Sequence, residues 1–310
     1  MTGSEPDECG WMSLCARFFA INRQLCWAVE KKLSLTFTRH IQTLYKYEVA
    51  ALLNRQPGQI VIDVGGGKEC PFLPYVKDPR SHLVVAFDYS GEELRVNPLL
   101  GRKVVGDAAA DRFPFRNGSA DLVVSRAVVE HIRDNAAFFR NCAAALRPGG
   151  VMIHAFSGRF APFALINQFL PNRLTRRLIG YLHPYWREEG NYGFPAFYNR
   201  CYFSAIQNLL KQNGFENAKF TLLYYQSTYF TFFFPLFVLM LLYDVAVSRF
   251  GVRNLASGII VEAERSHNSC RQIICDEGAV HAHAHAGETQ SAKIAVSRGG
   301  GDDCTPRPSR

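Results

Sequence analysis

The chain has 310 residues, of which 48% are hydrophobic, 20% charged and 13% aromatic. That composition excludes a disordered, collagen-like or highly charged coiled-coil protein taken as a whole, and leaves a globular chain with or without membrane contact. Lys and Arg number 35 against 27 Asp and Glu, a net +8, so nucleic acid, phosphorylated metabolites and acidic lipid head groups all fit as partners and charge alone does not choose among them.

From Trp11 to about Asn54 the pattern is helical, with Leu14, Phe18, Ile21, Leu25, Val29 and Leu33 at spacings of three or four and basic residues between them. Two helices are expected, forming an N-terminal extension over residues 1–57. Pro57-Gly58 is a turn signal, and Ile60-Val61-Ile62-Asp63-Val64 then reads as a buried strand running into Gly65-Gly66-Gly67. Further apolar runs follow at Leu83 to Phe87, ending in Asp88, at Lys103 to Val105, ending in Gly106-Asp107, and at Ala120 to Val124. A helical stretch to Leu146 stops at Arg147-Pro148-Gly149-Gly150, and Val151 to Ala155 is the fifth run. Short buried strands alternating with helices predict a parallel, doubly wound α/β sheet. The rhythm breaks over 158–200, an insertion expected to act as a lid. It resumes with a helix near Tyr202 to Gln212 and strands near Ala218 to Tyr225 and Gly258 to Ala263. The main domain is thus expected over 58–265, and the Gly-, Ala-, Ser- and His-rich tail over 266–310 is expected to be disordered.

Asp63-Val64-Gly65-Gly66-Gly67 is the first candidate site. Glycines at the carboxyl end of a strand let the backbone turn tightly and approach a ligand. A nicotinamide site would read G-x-G-x-x-G, but Lys68, Glu69 and Cys70 follow Gly67, so the third glycine is missing. A carboxylate two residues before the first glycine suits a cationic ligand better than a pyrophosphate.

Taken with Val85-Ala86-Phe87-Asp88, Gly106-Asp107-Ala108, Asp121 to Ser125 with Glu130-His131, and Leu146-Arg147-Pro148-Gly149-Gly150, this loop resembles the class I S-adenosylmethionine-dependent methyltransferases, particularly the small-molecule subgroup called type 11. The resemblance spans roughly residues 58 to 157. It implies a seven-stranded Rossmann-like sheet and S-adenosylmethionine as cofactor. It further implies that Asp63 with Gly65, Gly66 and Gly67 holds the methionine part, the carboxylate binding its ammonium. Asp88 would accept from both ribose hydroxyls, and Asp107 with Ala108 would meet the adenine. Ser125 and Arg126 would line the cofactor where it meets the acceptor. The alternative for Asp107 and Ser125 is that they cap turns. Glu69 departs from the family loop, and Pro71 and Pro74 predict that the helix after it is short or delayed.

Methyl transfer from a sulfonium needs alignment above all, and a general base only where the acceptor must lose a proton. His131 and His183 are the candidates; His131 also reads as part of the site wall, and His154, inside a strand, reads as a core histidine. No metal site is expected, the alternating His281, His283 and His285 of the tail being read as incidental. Between Gly158 and Lys211 seven basic residues face only Glu188 and Glu189, with aromatics interleaved, which describes a lid over an aromatic or lipid-like acceptor. Residues 229–243 are the most apolar stretch, too short to span a bilayer and interrupted by Pro235. A crossing there would also separate the last two strands of one sheet. Peripheral membrane contact is expected instead.

Nine scattered cysteines without a C-x-x-C pair, and an acidic N-terminus without a cleavable apolar segment, predict a reduced cytoplasmic protein, peripheral on the membrane at most. The expected function is methylation of a small, lipophilic acceptor on oxygen or nitrogen, with no nucleic acid involved. A non-catalytic S-adenosylmethionine-binding sensor or partner subunit is the alternative.

Overall fold

The computed structural model describes residues 8–99, 102–171, 174, 177 and 195–267, with side chains from residue 14 onward. His183, with residues 172–173, 175–176 and 178–194 of the 158–200 insertion, and the tail from residue 268, with its three alternating histidines, lie outside the described residues.

Seven strands form one sheet: β1 (Ile60–Val64), β2 (Leu83–Asp88), β3 (Lys103–Val105), β4 (Ala120–Arg126), β5 (Leu146–Ser157), β6 (Phe215–Leu223) and β7 (Gly258–Arg265). Their order is β3-β2-β1-β4-β5-β7-β6, with β1 to β5 parallel and β7 antiparallel to both its neighbours. The expected doubly wound seven-stranded α/β sheet is therefore present. Its inner strands are continuous apolar runs because both faces are covered. On one face Val61, Val84, Leu122, Val124 and Ile153 pack on Tyr45, Val49, Ala50 and Leu53 of α2 (Ile41–Leu53). On the other, Ile62, Val64, Phe87, Val123 and Met152 pack on Phe138, Phe139 and Cys142 of α4 (Asn135–Ala145) and on Ile206, Leu209 and Leu210 of α6 (Phe203–Gln212). Each such side chain contributes about 1.5–3 kcal/mol on burial. The second helix of the N-terminal extension is thus part of the sheet's own core.

Two shorter helices complete the described framework, α3 (Gly91–Val96) and α5 (Pro162–Phe169). Between the glycine loop and β2 only two short 3-10 turns form, Leu73–Tyr75 and Pro79–Ser81, in agreement with the proline argument. β5 begins at Leu146, directly after α4, and absorbs the Arg147 to Gly150 turn signal as an irregularity with Gly149 at φ +73°.

The apolar stretch divides into a 3-10 turn, Ser227–Phe230, and α7 (Phe234–Phe250), which tolerates Pro235 because it lies in the first turn. α7 continues through Asp244 and ends at left-handed Gly251. Asp244 is buried, and its Oδ2 accepts from the backbone N–H groups of Gln226 and Ser227, each at 2.8 Å. Burial raises its carboxyl above the ordinary range, while those two donors act in the opposite direction. α1 (Glu8–Glu30) lies against α7: Asn22 Oδ1 accepts from Phe234 N at 2.8 Å, and Cys26 joins Phe237 and Leu241 in a small cluster. Among the described residues no helix is long and apolar enough to cross a membrane.

Asp244→Ala strands two buried N–H groups and is expected to cost about 2–4 kcal/mol, read as a lower urea midpoint. Asp244→Asn, which keeps one acceptor oxygen, recovers most of that loss.

Candidate functional site

Parallel pairing aligns Val64 with Phe87 and with Ser125, so the chain leaves β1, β2 and β4 on one edge of the sheet. The strand order reverses between β1 and β4, and the crevice outside such a point is where open α/β sheets take ligands.

The loop after β1 depends on glycine for two different reasons. Gly65 has φ +73°, and a Cβ there would stand 2.1 Å from Val128 Cγ2, so the segment after β4 closes directly on its backbone. At Gly67, φ +33°, a Cβ would stand in ordinary contact with Asp88 Oδ2 at 3.6 Å, Gly65 O at 3.8 Å and Glu93 Oε2 at 3.9 Å, so this end of the loop packs toward the carboxylates that follow β2. Asp88 holds the loop from β2: Oδ2 accepts from Gly67 N at 3.0 Å and Oδ1 from Ser90 N at 2.8 Å. Asn97 holds it from the other side, its Nδ2 donating to Gly66 O at 2.9 Å and Gly67 O at 3.0 Å. Nothing in the local pattern pointed to Asn97, whose role depends on chain 30 residues away.

Asp63 is 3% exposed, and its Oδ2 is buried with no hydrogen-bond partner. Desolvation pushes its carboxyl up to about 7, against weaker lowering by the Cys70 thiol and the Arg126 guanidinium. Tyr45 of α2, missed in the sequence, places a second partnerless buried oxygen in the same neighbourhood. Burial, and then the charge of Asp63, raise its phenol well above the ordinary value. Arg126 reaches Gln42 Oε1 at 3.4 Å and Glu69 Oε1 at 3.9 Å.

Next along the edge, Gly106 N donates to Asp88 O at 2.9 Å, which sets Asp107 and Ala108 beside the β2 end. Asp107 is exposed, and its Oδ1 accepts from Ala109 N at 2.8 Å, so the turn-capping alternative describes one of its oxygens. Asn141 steadies this loop by donating to Ala108 O and Ala110 O. Ser125 needs correction. Its side chain is fully buried with Oγ 2.8 Å from His154 Nδ1, among Phe138 and Phe139, so it belongs to the core and not to the lining of the edge. His154 is the core histidine expected, with burial lowering its pKa to about 3 and keeping it neutral.

His131 lies half-buried on the 3-10 turn Val129–His131, with Nδ1 3.1 Å from Pro195 O. A carbonyl only accepts, so Nδ1 carries the proton and Nε2 is the basic nitrogen. Glu130 is buried beside it: Oε1 accepts from Ser157 N at 3.2 Å, and Oε2 has no partner.

The site therefore gathers Asp63, the loop Gly65 to Gly67, Asp88 and Arg126, with Asp107 and Ala108 adjoining and His131 farther along the segment after β4. The residues fit a cofactor carrying both an ammonium and a diol. A buried carboxylate oxygen awaits a cationic donor, and a second carboxylate, Asp88, holds the glycine loop at Gly67 N.

The sequence matches the family described as "Methyltransferase domain" over residues 37–219. A curated relative, the ubiquinone/menaquinone biosynthesis C-methyltransferase UbiE of Caulobacter sp. (strain K31), is 31% identical over 124 residues, covering 36% of this chain and 48% of its own. The chain thus spans about half the length of that relative. Among solved structures, phosphoethanolamine N-methyltransferase 2 of Haemonchus contortus in complex with S-adenosyl-L-methionine aligns with 16% identity and a TM-score of 0.44, over 71% of this chain and 53% of the other. A SAM dependent methyltransferase from Archaeoglobus fulgidus aligns with 12% identity and a TM-score of 0.45, over 74% and 97% respectively.

Proposed function

The chain belongs to the methyltransferase-domain family, and from that premise we propose that it transfers a methyl group from S-adenosylmethionine to a small, lipophilic acceptor at the surface of a bilayer. The observation that carries the reading is Asp63, a buried carboxylate with one oxygen lacking any partner, beside a glycine loop held at Gly67 N by a second carboxylate, Asp88.

In this reading Asp63 takes the ammonium of the methionine part, and Arg126 pairs with its carboxylate. Asp88 accepts from the ribose hydroxyls while keeping its hold on Gly67, and Asp107 and Ala108 meet the adenine. S-adenosylmethionine supplies a methyl group on a cationic sulfur, so the leaving group is already activated. What remains for the chain is alignment and exclusion of water. His131, through Nε2, removes a proton where the acceptor carries one. The Caulobacter relative's name adds carbon to the oxygen and nitrogen acceptors expected from sequence.

Calorimetry with S-adenosylmethionine, S-adenosylhomocysteine and NAD tests the cofactor. Binding of the first two and not of NAD is expected, and no binding of either would overturn the reading. Transfer of label from methyl-tritiated S-adenosylmethionine into a lipid extract tests the reaction. Binding without transfer into any extract fraction would replace an enzyme with a cofactor-binding sensor.

A further inference from the structure

Resting on the reading that the protein works at a bilayer surface, we propose that it docks on anionic phospholipid membranes through helix α1 and the groove behind α2. Within 229–243, Phe230, Phe237 and Leu241 are buried, while Phe233, Leu239 and Leu242 are between 41 and 63% exposed. α1 exposes a further row. Leu14, Phe18, Ile21 and Leu25 recur at steps of four, three and four, which places them in one stripe along the helix, and each is between 46 and 60% exposed. α1 meets α7 through Asn22 and Cys26, and Phe18 at the edge of the stripe stacks on Phe233, with ring centroids 6.4 Å apart. A row of large apolar side chains left open on a helix already packed elsewhere marks a site of association.

Charge identifies the partner. Residues 14–47 hold six Lys or Arg against Glu30 alone, and Glu30 is hydrogen-bonded by the Tyr225 hydroxyl. Lys31 stands 5.2 Å over the ring of Trp27, which is 64% exposed. Basic residues beside an apolar stripe, with an exposed tryptophan at the boundary, match a helix lying in the interface of a negatively charged leaflet. Where α1 ends, a groove of about 880 Å³ opens, lined by Trp27, Leu35, Arg39, His40, Tyr47 and Tyr225 among others. Neither Arg39 nor His40 has an ion-pair partner among the described residues. The cationic side of the groove fits a phosphate head group and its aromatic wall the upper part of an acyl chain. Gln42 and Tyr45 face the cofactor loop from one side of α2, while Thr43, Leu44 and Tyr47 line the groove on the other. A lipid in the groove therefore leaves the cofactor loop open.

Sedimentation with vesicles tests this, comparing pure phosphatidylcholine with vesicles containing about 30% phosphatidylglycerol, a surface that attracts basic segments. The protein is expected to bind the anionic vesicles preferentially, less so as salt rises, with a blue shift of tryptophan emission. The double variant Phe18→Ser/Leu25→Ser and the variant Lys31→Glu/Arg39→Glu are each expected to weaken that binding about tenfold or more. Both should keep the affinity for S-adenosylmethionine, which certifies that they fold. Vesicle binding that survives both variants overturns the assignment of the surface while leaving bilayer contact standing. Equal binding to both vesicle types overturns the anionic partner, and no vesicle binding overturns docking and bilayer contact together. A dimer that the Phe18→Ser/Leu25→Ser variant dissolves overturns the proposal in favour of a second copy of the chain on the stripe. None of these outcomes touches the methyl-transfer reading, which calorimetry decides separately.

Discussion

Asp63→Asn is expected to weaken S-adenosylmethionine binding by about 30-fold or more, and at the same time to raise the melting temperature of the ligand-free protein above pH 7. The first effect follows from removing one partner of a desolvated ion pair, which costs about 2–5 kcal/mol, at roughly tenfold per 1.4 kcal/mol. The second follows from proton linkage. Burial raises the folded carboxyl from 3.8 to about 7, so between about pH 4 and 7 the unfolded chain has released a proton that the folded chain still holds. Folded stability therefore falls as pH rises through that window, and the penalty is complete above pH 7. The amide cannot ionise and escapes the penalty. An ammonium ligand needs the carboxylate, so the parent's affinity should climb from pH 6 to 8 and binding should release protons near pH 7. Calorimetry in two buffers of different ionisation enthalpy reads the release, and thermal melts at pH 5 and pH 8 read the stability. Equal affinities for parent and variant would remove Asp63 from the site.

Asp88→Ala should lower cofactor affinity by about 30- to 100-fold, because two kinds of bond are lost together. The carboxylate accepts from Gly67 N and Ser90 N, and charge-assisted bonds of this sort contribute about 1.5–3 kcal/mol each. Its loss frees the loop as well as removing the ribose acceptor. Asp88→Asn separates the two, since its single carbonyl oxygen can hold Gly67 or meet the ribose but not serve every donor. An intermediate loss is expected, and comparing adenosine with 2′-deoxyadenosine as competitors shows whether the ribose is the group concerned. If the two compete equally in the parent, Asp88 does not bind the ribose.

The sheet was legible because its signals are local. Five apolar runs, the first four followed directly by Gly, Asp or Ser, reappear as β1 to β5, and the Pro71 and Pro74 argument accounts for the missing helix after the loop. Asp63 and Asp88 could be chosen from their places at the strand ends. Ser125 could not be judged in this way. Alternation along β4 allows either face for a given register, and only the neighbouring strand brings His154 to within 2.8 Å of its hydroxyl. Asn97 and Tyr45 were missed for the same reason, their roles being set by Gly66 and Gly67 in the one case and Asp63 in the other, with no repeating pattern to announce them. Asp244 looked like the polar end of an apolar run, and became a buried acceptor once α7 folded over Gln226 and Ser227.

By itself the amino-acid sequence determined the order of strands and helices, the glycine loop and the carboxylates beside it, because hydrophobic period and backbone preference act over a few residues. Tertiary structure alone decided which polar groups lose water. Asp63 is left with an unpartnered oxygen and a carboxyl near 7, Ser125 is turned into the core, and the apolar stripe of α1 is left open while Phe230, Phe237 and Leu241 of 229–243 are covered. Desolvation depends on what packs against a group from elsewhere in the chain, and no local pattern records that.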